Sequence, residues 1–389
     1  MTNEPAMSTR DAIAIGLMAM LLRAAICVTI LFARHISIDQ YARNGDGASY
    51  LAMARAMLGD ASTLTEYDRR VFPGYPAMIA LFGLARVSLP VAALAIDWGC
   101  AGVAAGLAAL LFRDRRIGLA MVVLLPQYVI NSSLAMSEAP LLALSLAGIW
   151  LTLRGTGWRT VAGGFALGLA GLVRPMACFA AAGCLVALLV RKQPRRAAIM
   201  AIGAGIAAVA GLMLVHRWTG DVLRGVRIYK NSPQAYTGHL FAWPFESLIC
   251  TPFREGGTVE GWSIPYIWGH VLILGIACVV LVKRWRIGWP RTRLATRLSS
   301  SKSGEAAKCG KCCIDERDAL AMPWAVGNLL FVLCIGSSWG FRHFPRFNIP
   351  ALPALFWGLR AWLPRSLWAW VAIGIVGFAI GVAGVGHSL

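Results

Sequence analysis

The chain is expected to fold as an all-α polytopic membrane protein, and three observations lead there. Hydrophobic residues make up 58% of the 389 and charged residues 14%, and the mean hydropathy of +0.64 lies far from that of a water-soluble domain. Apolar runs of helical length recur along the chain. Backbone in lipid must satisfy its own hydrogen bonds, which leaves helices for runs too long to be barrel strands. Basic residues gather in the connections, RDRR at 113–116, RGTGWR at 154–159, RKQPRR at 191–196 and KRWRIGWPRTR from Lys283, a positive-inside pattern.

Residues 12–33 have the length of one crossing and end in LFARHIS without a small-residue cleavage pattern, so they read as a retained anchor. Residues 74–87 are shorter, about 21 Å of helix at ~1.5 Å per residue against a hydrocarbon core of ~30 Å, and are expected to be re-entrant or juxtamembrane. Further spans are expected at 91–112, 117–134, 139–153, 160–173, 176–190, 197–215, 264–282, 322–339, 348–363 and 367–386. That gives about 11 crossings in one membrane-embedded domain, residues 1–389. With the N-terminus and the basic connections inside, residues 34–72 and 216–262 become external loops and 283–320 a cytoplasmic basic loop. The same threading puts Glu138, Arg174 and residues 340–347 at the external face, which in a bacterium faces the periplasm across the inner membrane.

The net charge of +19 is spread over these connections rather than gathered in a compact basic domain, which argues against nucleic acid as a partner. Neither a phosphate-cradling GxxxxGK[ST] loop nor a dinucleotide glycine fingerprint is present. Cys309, Cys312 and Cys313 lack a nearby fourth ligand, so palmitoylation or plain reduced thiols fit them better than a metal. Residues 297–308, RLSSSKSGEAAK, have the composition of a disordered segment.

The polar residues of interest collect on the external face. Asp46 stands in NGDG, where flanking glycines allow a sharp backbone turn, ahead of an amphipathic stretch; it is either a reactive acid or a helix cap. Glu138 opens a hydrophobic span and Asp97 lies inside another. Each faces a cavity or partner, or else serves as a helix-end charge or an interhelical hydrogen bond. Arg69, Arg70, Arg174, Arg342 and Arg346 lie at or beside the outer ends of spans, where a guanidinium either snorkels or grips a phosphate with two parallel donors. Arg23, in the middle of the first span, calls for a buried acid or a ligand.

Asp46-Gly47 followed by Tyr50, then FPGYP at 72–76, SE at 137–138 and LVRP at 172–175 resemble, in kind and order, the motif series of the GT-C superfamily of membrane glycosyltransferases, and within it the PIG-V type mannosyltransferases and their bacterial relatives. The resemblance covers roughly residues 10–190, and RFNIPALPALF from Arg346 echoes a later element. It departs where Asn44-Gly45 replaces a Trp, Ser49 a His, and Arg174-Pro175 an Arg-Ser-Asn-Gly form.

The resemblance implies inverting mannosyl or other hexosyl transfer from a polyprenyl-phosphate sugar to a lipid, glycan or protein acceptor. Asp46 would be the base; Tyr50, Arg69, Arg70, Glu138, Arg174, Arg342 and Arg346 would bind substrate. No cofactor is expected beyond a loosely held divalent cation. The competing reading is a secondary transporter or lipid flippase, although such proteins carry paired broken helices in repeated halves rather than unusual residues on one face.

Overall fold

The structure is a computed structural model and describes residues 7–222, 263–299, 315–335 and 343–388, with a few more between 227 and 249. Among the described residues every element is helical except one isolated antiparallel bridge, Phe241 to Ile335. Helix α1 (Thr9–Arg34) opens on a capping box in which the Ser8 hydroxyl accepts the Asp11 amide at 3.1 Å. It packs along α5 (Leu89–Phe112). A Cβ on Gly16 would stand 2.9 Å from the Gly102 carbonyl oxygen, and one on Gly102 2.7 Å from that of Gly16. The two backbones therefore touch, as small residues allow in membranes.

Between α1 and α5 lie α2 (Ile38–Ala42), α3 (Gly47–Met57), a 3-10 turn (Asp68–Arg70) and α4 (Gly74–Leu84), which together carry the expected external loop 34–72. After α5 come α6 (Arg115–Val123), α7 (Pro126–Ser133), α8 (Glu138–Arg154), α9 (Trp158–Val173), α10 (Ala177–Val190) and α11 (Pro194–Thr219). The chain closes with α12 (Ser263–Ser299), α13 (Glu316–Leu333), α14 (Phe344–Asn348), a 3-10 turn (Ile349–Ala351), α15 (Leu352–Gly358) and α16 (Leu367–Ser388). Helix α9 is held between α8 and α11, α10 packs on α13, and α16 covers α1, α6 and α7.

Among the described residues five helices, α1, α5, α11, α12 and α16, are long and apolar enough to cross a membrane, and α7 with α8, bent by 102°, makes up to six. This is fewer than the expected eleven or so, for identifiable reasons. The stretch 117–134 is two short helices rather than one span, because Pro126 forces Leu125 into extended backbone and ends α6 before it. The stretch 348–363 is likewise broken, with Pro350 and Pro353 each starting a new short turn. Helices α4, α9 and α10 are apolar but short, α4 having 11 residues.

Residues 283–299 of the expected basic connection are helical, continuing α12 beyond its apolar part, Pro265–Arg286. Cys309, Cys312 and Cys313 and most of 216–262 lie outside the described residues, although 216–219 complete α11.

Candidate functional site

The site is assembled at the end of the bundle where α3 and α8 begin. Gly45 takes a left-handed φ of 60° that turns the chain back toward α3. Gly47 lies so close to the Ala42 carbonyl that a side chain there would collide with it. Asp46 occupies the position before α3 but makes no capping bond, so it is not the cap of that helix. Its Oδ1 instead accepts from Arg70 Nη2 at 2.7 Å and its Oδ2 from Arg346 Nη2 at 2.6 Å.

Glu138 opens α8 with 1% of its side chain exposed and pairs through Oε1 with Arg174 Nη2 at 2.9 Å and with Arg346 Nε. Arg346 thus bridges the two acids. Its companion Arg342 lies outside the described residues. The second oxygen of Glu138, Oε2, is buried without a partner among the described residues. A buried acceptor left open in this way is costly unless a ligand hydroxyl or amide fills it.

Uncharged groups hold this constellation in place. Arg174 Nε donates to Ser137 Oγ at 2.6 Å, and the Tyr50 hydroxyl lies 2.9 Å from the same Oγ. Arg70 Nη1 donates to Ser49 Oγ and to the Tyr67 carbonyl, both at 3.1 Å, and the guanidinium lies over the Tyr67 ring at 3.6 Å. Ser49 in turn donates to Asp68 Oδ1 at 2.6 Å, while Thr65 supplies its amide and hydroxyl to Oδ2 at 3.0 and 2.6 Å. Sequence reasoning passed over Ser49, Asp68 and Ser137. The first was noted as a departure from a motif, the second sits inside the EYDRR stretch beside the arginines, and the third precedes the acid that drew attention.

Electrostatics follow from the pairing. Burial pushes the Asp46 carboxyl up, but Arg346, Arg174 and Arg70 outweigh it and hold the group well below the usual carboxylate range. Burial acts alike on Asp68 and is outweighed by the Ser49 and Thr65 hydrogen bonds and by Arg70, so this carboxyl is also lowered. Burial pushes the Tyr50 phenol up to about 12, so it remains a neutral donor. Three arginines pair directly with two carboxylates, and the Asp68 carboxylate, one hydroxyl away from Arg70, offsets the third charge.

Beside Arg70 a cavity of about 490 Å³ opens, walled by α9, α10 and α11 and lined by Leu172, Pro175, Ala204 and Ala208, with Arg69 and Arg70 at its edge. Arg69 is half-buried and makes no hydrogen bond or ion pair among the described residues, in contrast to the other three arginines. No group of three or more His, Cys, Asp or Glu side chains gathers as a metal site among the described residues. Arg23 does not meet the acid expected for it. It donates to Ser132 Oγ at 3.0 Å and to the Val122 and Met121 carbonyls at 2.7 and 3.3 Å, where the broken end of α6 frees backbone acceptors.

No family model matches the chain, and no curated protein sequence does. Among solved structures it is similar to the crystal structure of ArnT from Cupriavidus metallidurans bound to undecaprenyl phosphate, with a TM-score of 0.56 and 16% identity over 95% of this chain and 77% of that one. At this identity the likeness is one of fold. The chain shares that helical fold, with helices long and apolar enough for an integral membrane protein.

Proposed function

We propose that the protein is an inverting glycosyltransferase that moves a sugar from a polyprenyl-phosphate donor to a hydroxyl of a lipid, glycan or protein acceptor at the external face of the membrane. The observation that carries this reading is the cluster in which Arg70, Arg174 and Arg346 converge on Asp46 and Glu138, beside an apolar cavity edged by Arg69. A lipid phosphate requires those two surroundings together, guanidinium for its head and apolar walls for its tail. The bound undecaprenyl phosphate of the structurally similar ArnT supports the same donor class. The resemblance to PIG-V type enzymes favours mannose or another hexose.

In the transfer, the acceptor hydroxyl oxygen attacks the anomeric carbon from the side opposite the phosphate. The bond from that carbon to the phosphate oxygen breaks, and the hydroxyl proton passes to Asp46. Polyprenyl monophosphate leaves with the added negative charge, which Arg69, Arg70 and Arg174 stabilise. These arginines supply the neutralisation, leaving a divalent cation at most a loosely held role. Asp46 is tied to two guanidiniums in the ligand-free arrangement and is a weak base there. A donor phosphate that draws Arg70 to itself releases one carboxylate oxygen, so the donor binds before the acceptor is activated. Glu138 Oε2 is left to orient a sugar hydroxyl.

Purified protein in liposomes should consume polyprenyl-phosphate hexose and release polyprenyl phosphate, and Asp46→Asn should remove this activity while the protein still folds. Retention of more than about a tenth of the wild-type rate in Asp46→Asn would take Asp46 out of the role of base.

A further inference from the structure

Asp97 and Tyr75 lie behind the site and have no part in the chemistry just described. Asp97 is wholly buried in α5, and no guanidinium or ammonium pairs with it among the described residues. Its Oδ2 accepts the Tyr75 hydroxyl and, at 2.9 Å, the Met136 amide; its Oδ1 has no partner. The Met136 amide is shared with the Leu134 carbonyl, also at 2.9 Å. Met136 stands in the crossing between α7 and α8, where the chain turns by 102° and immediately precedes Ser137 and Glu138.

The other end of that crossing is also tied. The Ser133 carbonyl accepts Tyr41 Oη at 3.1 Å and Trp98 Nε1 at 3.3 Å. Tyr75 meets the site by a second route, its ring edge-on to Tyr50 at 5.0 Å, and Tyr50 reaches Ser137. A half-satisfied carboxyl within an apolar helix is expensive, and this one spends its bonded oxygen on the two segments that flank the acids.

We infer that Asp97 and Tyr75 are positioning residues: their hydrogen bonds fix the Leu134–Ser137 crossing so that Ser137 and Glu138 face Arg174 and Arg346. The kinetic consequence rests on the transfer reading above; the structural one does not.

The test uses the full chain in nanodiscs as wild type, Asp97→Ala, Asp97→Asn and Tyr75→Phe. Hydrogen exchange over 134–138, thermal melting and transfer from a polyprenyl-phosphate hexose are each measured. In Asp97→Ala, exchange over 134–138 should rise by about tenfold or more, and kcat/KM per folded molecule should fall by a similar factor. Asp97→Asn keeps an acceptor oxygen for both donors and should recover to within about threefold of wild type, with Tyr75→Phe in between.

Unchanged exchange at 134–138 in Asp97→Ala would overturn the proposal. So would equal kinetic losses for the alanine and asparagine variants, or exchange raised evenly along α5 and α8, which marks general loosening. If wild type turns over no polyprenyl-phosphate sugar, the transfer reading fails, and the exchange pattern alone decides the positioning role.

Discussion

Arginine serves two different purposes at the two ends of this bundle. At the end where α8 begins, Arg70, Arg174 and Arg346 are buried against the carboxylates of Asp46 and Glu138. At the other end, ~25 Å away along α8 by its ~1.5 Å rise per residue, the arginines take helix-end carbonyls besides their more exposed carboxylate partners, Glu316 for Arg191, Asp318 for Arg284 and Asp315 for Arg317. Arg196 donates to the Thr152 and Gly155 carbonyls and Arg191 to that of Leu153, where α8 stops. Arg317 takes the Phe112 carbonyl at the end of α5, and Arg284 those of Trp357 and Gly358 at the end of α15. Carbonyls at a helix C-terminus are fixed acceptors with a partial negative charge, so these arginines are caps as well as topology signals. A carboxylate side chain, by contrast, can be outcompeted by an incoming anion. Equal residues thus build a rigid end and an exchangeable one.

The largest effect expected concerns which side each end faces. A cysteine at exposed Asp60, in a background lacking native thiols, should react fully with a membrane-impermeant reagent added to intact cells. One at exposed Arg195 should not. The reverse pattern would move the exchangeable end to the cytoplasm.

Next in size is Arg346→Ala, which takes one of two guanidinium partners from each acid. A hydrogen bond to a charged group is worth about 1.5 to 3 kcal/mol, so a large fall in melting temperature together with loss of transfer is expected. Arg317→Ala at the other end, with 28% of its side chain exposed, should cost about 1 kcal/mol and leave transfer intact. Equal destabilisation by the two would erase the distinction between the ends.

Arg174→Lys sharpens it further. The fork holds Glu138 with Nη2 and Ser137 with Nε, and lysine cannot do both. A fall of about tenfold in kcat/KM for the donor is expected, against no change for Arg196→Lys, which keeps a cation near the end of α8. Kinetics insensitive to both substitutions would mean that Arg174 does not shape the site.

Much of this contrast was legible in the sequence, and the part that was not has a physical cause. Asp46, Glu138, Arg70, Arg174 and Arg346 stood out because ionisable groups beside spans are rare, and their order carried the fold resemblance. Their mutual pairing was not readable, since Asp46 and Arg346 meet across 300 residues. Arg23 misled because a cation in a span suggests an acid, whereas here a proline-terminated helix presents carbonyls to it. The prolines at 126, 350 and 353 were visible, and hydropathy alone ran the apolar stretches through them into continuous spans.

Acid titration should produce a smaller effect. Asp46 has a lowered pKa in the folded state, so its stabilising share is complete above the ordinary value near ~3.9 and is lost as pH falls through the lowered one. The melting-temperature difference between wild type and Asp46→Asn should therefore stay constant from about pH 7 to about pH 5 and shrink only in stronger acid. A difference already shrinking between those values would show Asp46 titrating normally and unpaired. The smallest effect belongs to Arg191→Ala, whose pair with Glu316 is about a third exposed on each side and is worth ~1 kcal/mol or less, declining with salt.

The bridge made by Arg346 also has a consequence for biosynthesis. A ribosome adding ~5 to 20 residues per second needs about 15 to 60 s to pass from Asp46 to Arg346. During that interval Asp46 has Arg70 and Glu138 has Arg174, and the charges cancel. Arg346 is made much later, so the two acids are joined through one guanidinium only after the intervening helices have been built.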